Sequence, residues 1–116
     1  MLKILKLLDQ CSAVASYEIQ DFKQGTDFYF LKVRCEFKND TLLYIRQYVS
    51  DDEYNYSYHW QNKEGDIIVR WDNAPHHRDI ITFPHHKHVG ANIMASAEIG
   101  IEDVLRYITM MLSSPE

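Results

Sequence analysis

The fold is decided by a stretch in which apolar and charged side chains alternate, Phe28-Tyr29-Phe30-Leu31-Lys32-Val33-Arg34-Cys35-Glu36-Phe37-Lys38. Successive side chains of a β-strand point to opposite faces of its sheet, so a period of two is typical of a strand with one buried face. Leu31, Val33 and Cys35 belong to the face that we expect to be buried, and Lys32 and Arg34 belong to the other. The stretch therefore predicts a sheet whose two faces differ in chemistry.

The segments on either side extend this pattern over most of the chain. Further strands are predicted at 14–22, 41–49, 53–62, 66–72 and 93–95. Because the connections between successive strands are short, the strands should pair as an antiparallel meander. Apolar residues at helical spacing predict amphipathic helices over 2–10 and 101–112. We therefore expect an α+β fold, with a five- or six-stranded antiparallel meander sheet and both helices packed on one face.

The composition indicates one globular domain. The chain has 116 residues, of which 46% are hydrophobic, and a net charge of −5, which argues against coating nucleic acid by bulk charge but allows a local basic patch. Cys11 and Cys35 lack a CxxC spacing, and we interpret them as buried, reduced thiols. The N-terminal apolar run is short and interrupted by lysines, so we expect no signal peptide, no membrane partner and a cytoplasmic location.

The face opposite the predicted core combines basic and aromatic residues. Alternation in the second, third and fourth strands assigns to it Arg34, Tyr44, Arg46, Tyr48 and His59. Cationic groups bind phosphates, and exposed aromatic rings stack on unpaired bases. These residues are therefore the candidate substrate contacts for an RNA. Alternatively, the same residues form a solvated sheet face that has no function.

Residues 70–88 hold five of the six histidines and two of the three prolines, which form a doubled Pro-His-His motif. Histidine can take or give a proton near neutral pH, and it also binds transition metals. Neighbouring residues in extended chain point apart, so only one histidine of each pair can join a given cluster. We expect His77, His86 and His88 to meet Arg70 and Asp72 at the end of the preceding strand.

Three functions fit this segment. In a metal-independent ribonuclease, one imidazole removes the 2′-hydroxyl proton and another protonates the leaving oxygen, while Arg70 and Arg46 stabilise the phosphorane and Asp72 orients a ring. This reading needs no cofactor. In a metal-dependent hydrolase, three histidines bind zinc or a similar ion with an open position for water. In a non-enzymatic binding module, the basic face docks a partner and the histidines only shape a loop.

Residues 70–77 and 82–88, with Tyr58-His59-Trp60-Gln61 upstream, resemble the TumE-type toxin family of prokaryotic toxin–antitoxin systems. The resemblance implies a small cytoplasmic toxin that acts on RNA and is neutralised by an antitoxin, expected to bind DNA, encoded beside it. It leaves open a homodimer, and it does not separate RNA cleavage from nucleotidyl transfer. The motif positions to which it points are Arg70, Asp72, Asn73, His76, His77, His86 and His88. Of these positions, Arg70, Asp72 and the four histidines are the candidate catalytic residues. Asn73, together with Lys87 between two of the histidines, is a further candidate for substrate binding.

Overall fold

The computed structural model describes residues 2–113, which form two helices and seven strands. In chain order, these elements are α1 (Leu2–Gln10), β1 (Val14–Gln24), β2 (Phe28–Phe37), β3 (Leu42–Ser50), β4 (Tyr54–Gln61), β5 (Ile67–Asp72), β6 (His86–Val89), β7 (Asn92–Ala95) and α2 (Ile101–Ser113). The predicted α+β class and the two terminal helices are confirmed. The predicted strand number, five or six, is too low.

The seven strands form one antiparallel meander, in the order β1-β2-β3-β4-β5-β6-β7. Each strand pairs with its neighbour in sequence, as the short predicted connections required. The sheet therefore brings β5 and β6 side by side, although a loop of thirteen residues (73–85) separates them in sequence. This loop carries His76 and His77.

The strand that was not predicted is β6, which forms a hairpin with β7 at the predicted strand 93–95. Val89 and Asn92 close a two-residue turn between β6 and β7. Gly90 adopts a φ of 59° in this turn, a left-handed conformation that glycine tolerates without steric cost. The strand β6 reads His86-Lys87-His88-Val89, which lacks the apolar alternation that marks β2. Its pairing depends on β5 and β7 rather than on its own pattern.

One face of the sheet, called here the closed face, packs against both helices. The register aligns Val33, Ile45, Tyr58 and Trp71 across four strands of this face, and all four are buried. The helices bury against them Ile4, Leu8, Ile101, Val104, Leu105 and Ile108. The predicted layering is therefore confirmed, and the opposite side of the sheet, called here the open face, carries the predicted polar and aromatic residues.

The aromatic row of β4, which consists of Tyr54, Tyr56, Tyr58 and Trp60, belongs to the closed face. Tyr58 is fully buried, and its hydroxyl accepts a hydrogen bond from Gln47 Nε2 at 2.6 Å. The Tyr54 hydroxyl lies 2.7 Å from that of Tyr58 and donates to the carbonyl of Ile99 at 3.0 Å. Burial raises the pKa of Tyr58, so this network is neutral and ties the core to the segment before α2.

The two cysteines are free thiols in different environments. Cys35 is buried on the closed face, as predicted, whereas Cys11 is only half-buried. Neither helix within residues 2–113 is long and apolar enough to cross a bilayer.

Candidate active site

The end of β5 fixes the start of the histidine loop. Asn73 follows the last residue of β5, and its side chain binds the backbone of β4 twice. Its Nδ2 donates to the carbonyl of Tyr54 at 2.6 Å, and its Oδ1 accepts from the amide of Tyr56 at 3.0 Å. Ala74 and Pro75 then lead the chain out of the sheet, because Pro75 restricts Ala74 to extended conformations. The loop therefore begins at a point held by two strands.

The pairing of β5 with β6 brings the second histidine pair back to this point. The register sets Asp72 opposite His86 and Arg70 opposite His88. The ring of His77 lies 4.8 Å from that of His86 and 5.8 Å from that of His88, and the rings of His86 and His88 are 5.0 Å apart, measured between centroids. These three residues are called here the histidine cluster. The structure thus brings together the five residues that the sequence expected to meet.

Asp72 is the centre of the cluster. Its carboxylate is almost completely buried, with Oδ1 3.0 Å from His86 Nε2 and Oδ2 3.1 Å from Arg70 Nε. His88 Nε2 lies 3.6 Å from Oδ2, and the amide of Ala74 donates to Oδ1 at 3.0 Å. A buried carboxylate requires this many donors, because an unpaired charge away from water is very costly. Asp72 therefore holds the surrounding nitrogen atoms in place.

His86 is a positioning residue rather than a surface group. Its side chain is 3% exposed, so it cannot contact a bound substrate directly. Its Nδ1 lies 3.0 Å from the carbonyl of Pro84, and its Nε2 faces Asp72. These two contacts, one at each ring nitrogen, fix the orientation of the imidazole.

His77 and His88 are the members of the cluster that solvent reaches. Both are half-buried, and their rings lie beside the Asp72–His86 pair. Partial burial lowers the pKa of His88, and the charges of His86, Arg70 and His77 act in the same direction, while Asp72 opposes them. A lowered pKa favours the neutral imidazole, the form that accepts a proton. These two rings are the candidates for proton transfer to and from a substrate.

Arg70 is held between a carboxylate and an imidazole. Its Nε binds Asp72, and its Nη1 donates to His59 Nδ1 at 3.2 Å. Partial burial, followed by the positive charge of Arg70, lowers the pKa of His59, which keeps that ring available as an acceptor. His59, predicted as a substrate contact, therefore also orients Arg70. The side chain of Arg70 is 38% exposed, so it can still approach a bound anion.

Two predicted residues of the histidine segment, His76 and Lys87, lie outside the cluster, as does His85, to which no role was assigned. His76 is exposed and outside the cluster, as the alternation within a His-His pair requires. His85 stacks on the ring of Tyr56 with centroids 5.8 Å apart, and its Nδ1 lies 2.9 Å from the Tyr56 hydroxyl. Lys87 lies opposite Trp71, a residue of the closed face. Its side chain therefore points to the side of the sheet opposite to His86 and His88.

A cleft of about 500 Å³ opens beside the cluster on the open face. Its lining includes the open-face aromatic residues Phe30 and Tyr48 and the two arginines Arg46 and Arg70. Asp72 and Asn73 connect it to the site. Asn55 and Ser57 also line it, and sequence reasoning assigned them no role although their alternation with the β4 aromatic row placed them on the open face.

Two predicted substrate contacts lie farther from the cluster. One row of the open face runs Arg34, Tyr44, His59, Arg70, His88 across five neighbouring strands. Strands lie about 4.8 Å apart, so Tyr44 is roughly 14 Å and Arg34 roughly 19 Å from His88. Only an extended ligand could contact both ends of this row.

The histidine cluster also has the composition of a metal site. One nitrogen from each of His77, His86 and His88 can be chosen so that the three atoms lie within 4.8 Å of one another. Imidazole is a common ligand of zinc, copper and nickel.

Comparison with known proteins identifies the family. A family model described as toxin TumE matches residues 4–112, a range that contains all seven strands and the whole site. Neither the search of curated proteins nor that of solved structures gave a match. The chain therefore belongs to the TumE toxin family, which makes it a toxin component and implies a cognate antitoxin as its partner.

Proposed function

We propose that this toxin is a metal-independent ribonuclease that uses two histidines of the cluster for acid–base catalysis and Arg70 to stabilise the phosphate. The observation that carries the proposal is the convergence of two accessible imidazoles, His77 and His88, on a buried Asp72–His86 pair beside an exposed guanidinium. RNA as the substrate and a cytoplasmic location belong to this proposal.

The chemistry follows from the groups present. One accessible imidazole removes the proton of a ribose 2′-hydroxyl, and the 2′-oxygen attacks the adjacent phosphorus. The other, protonated, gives its proton to the 5′-oxygen that leaves. The products are a 2′,3′-cyclic phosphate and a free 5′-hydroxyl. Positioned acid–base groups typically contribute about 10²–10⁴-fold to the rate.

Arg70 stabilises the charge that the phosphorane develops. Asp72 and His59 hold its guanidinium from two sides, so little reorganisation is needed when the negative charge forms. Asp72 and His86 act behind the reacting groups, because both are almost completely buried. They fix the positions of Arg70, His77 and His88.

The cleft supplies the binding site for the nucleotide beside the scissile bond. Phe30 and Tyr48 offer ring faces for base stacking, and the Arg46 guanidinium, which lies 5.3 Å above the Phe30 ring, can reach a phosphate. The row from Arg34 to His88 continues this basic surface, although the whole chain carries a net charge of −5. Such a local basic surface is what an acidic protein needs to hold RNA.

The test is cleavage of RNA by purified protein in EDTA, with the ends of the products identified. We expect 2′,3′-cyclic phosphates, and we expect His77→Gln and His88→Gln each to lower the rate about 10²–10⁴-fold. His85→Gln is the matched control, because His85 belongs to the same doubled motif but lies outside the cluster.

An RNA with a single 2′-deoxy substitution at the cleaved position should resist cleavage there, because it lacks the attacking oxygen. Absence of cleavage in EDTA, equal loss in the His85→Gln control, or cleavage at the deoxy position would each overturn the proposal.

A further inference from the structure

We propose that the histidine cluster and Asp72 bind one divalent transition-metal ion of the zinc class, and that the bound ion blocks the acid–base chemistry of the toxin. Binding of the ion goes beyond the function proposed above. Only the blocking effect rests on that function.

The spacing of the three imidazoles suits such an ion. One nitrogen from each ring already lies within 4.8 Å of the other two. Nitrogens that surround a tetrahedral zinc ion at about 2.0–2.1 Å are separated by roughly 3.3–3.4 Å. His77 comes from a loop, and both His77 and His88 are only half-buried, so small ring rotations bring the nitrogens to this spacing.

The surroundings of His86 match those of a metal ligand. Its Nδ1 lies 3.0 Å from the carbonyl of Pro84, and a hydrogen bond from a ligand imidazole to a backbone carbonyl is the usual arrangement around zinc. This leaves Nε2 for the ion, and Nε2 lies 3.0 Å from Asp72 Oδ1. The ion would therefore replace the hydrogen between these two atoms, and Asp72 Oδ1 would become the fourth ligand.

The charges around Asp72 place the ion on one side of its carboxylate. Arg70 Nε occupies the Oδ2 side at 3.1 Å and would repel a cation there. The Oδ1 side faces His86 and the amide of Ala74. His88 Nε2 lies 3.6 Å from Oδ2, so its ring would have to turn toward the Oδ1 side to bind the ion. Three imidazoles and one carboxylate favour zinc, copper or nickel over magnesium or calcium, which prefer sites made of oxygen atoms.

The ligand set explains why the ion would inhibit. Catalytic zinc sites keep one position open for water, whereas sites with four protein ligands are closed. With Asp72 as the fourth ligand, this site is closed. The ion also occupies nitrogen atoms of His77 and His88, the two rings that the proposed reaction uses for proton transfer.

Binding is tested with protein that carries no histidine tag and has been stripped by a chelator. Calorimetric titration with Zn²⁺ should show one site, and Co²⁺ should give the intense visible absorption of a four-coordinate ion. His77→Gln and His88→Gln should weaken binding by about 100-fold or more, while His85→Gln binds as the wild type does. Excess Mg²⁺ should not compete. A titration without saturable binding, or equal affinity in all variants, would overturn the site.

The blocking effect is tested separately, by RNA cleavage with and without one equivalent of Zn²⁺. We expect loss of cleavage and its recovery on addition of a chelator. Faster cleavage with Zn²⁺ would overturn the blocking effect and also the metal independence of the ribonuclease. Binding of Zn²⁺ by a protein that cleaves no RNA under either condition would leave the site intact and would refute the ribonuclease.

Discussion

Strand β3 contributes Ile45 to the closed face and Arg46 to the open face, and these neighbours differ in almost every physical respect. Ile45 is 1% exposed and packs among the strand and helix residues of the core. Arg46 is exposed, lies over the Phe30 ring and lines the cleft. The same backbone therefore serves two purposes. Substitutions on the closed face should change stability, and substitutions on the open face should change activity.

The largest effect is expected on the closed face. Ile45→Ala removes buried methyl and methylene groups and leaves a cavity, so the free energy of unfolding should fall by about 2–5 kcal/mol. Chemical denaturation followed by circular dichroism measures this change. A loss below about 0.5 kcal/mol, the level expected for surface substitutions, would show that the helices do not cover this face in solution.

On the open face, Arg70→Gln should lower the rate of RNA cleavage by about 10²–10³-fold, because it removes the cation that the developing phosphate charge requires. The residue is polar and partly exposed, so the variant should remain folded. Single-turnover cleavage assays, with thermal unfolding as the control, separate the two effects. An unchanged rate in a folded variant would assign Arg70 a purely structural role beside Asp72.

A smaller effect is expected for Arg46→Ala. Because Arg46 lies in the cleft and away from the cluster, its loss should weaken RNA binding. The slope of log affinity against log salt concentration should fall by about one, as expected for the loss of one phosphate contact. The free energy of unfolding should stay within about 0.5 kcal/mol of the wild type. Binding titrations at several salt concentrations provide the measurement. An unaltered salt dependence would remove Arg46 from the RNA-binding surface.

The smallest effect is expected from alkylation of the cysteines, which tests the burial of Cys35 on the closed face. Burial raises the pKa of Cys35 to about 12, so almost none of it is thiolate near neutral pH, whereas Cys11 is partly accessible. Alkylation of the native protein should therefore modify Cys11 first, and Cys35 should react only after unfolding. Mass spectrometry of the peptides reports the order. Rapid modification of Cys35 in native protein would contradict the closed face.

Much of this comparison was predictable from the sequence. The alternation in residues 28–38 assigned Val33 and Arg34 to opposite faces, and helical spacing located α1 and α2. The rule that neighbours in a His-His pair diverge predicted that only one histidine of each pair would join the cluster. It did not say which one, and the structure places His77 and His86 in the cluster and His76 and His85 outside it. These features depend on the backbone geometry of single strands and helices, which the spacing of residues in the sequence indicates.

What could not be predicted depends on contacts between distant segments. The strand β6 has no apolar period, so its existence and the orientation of Lys87 follow only from its register with β5. The hydrogen bonds of Asn73 to Tyr54 and Tyr56 join residues of different strands, and no local pattern indicates them. Asn55 and Ser57 are candidates only because they line the cleft, which forms from residues of several strands.

The side chain of Asn73 takes the place of a peptide unit at the end of β5. It offers β4 the hydrogen-bond donor and acceptor that the main chain of a further β5 residue would have offered. The main chain can therefore leave the sheet at this point, while β4 keeps its hydrogen bonds. A loop anchored in this way is held at its first residue, Asn73, even though residues such as His76 are exposed to solvent. His77 lies four residues after this anchor, so the start of its loop is fixed by the sheet although His77 itself is not in a strand.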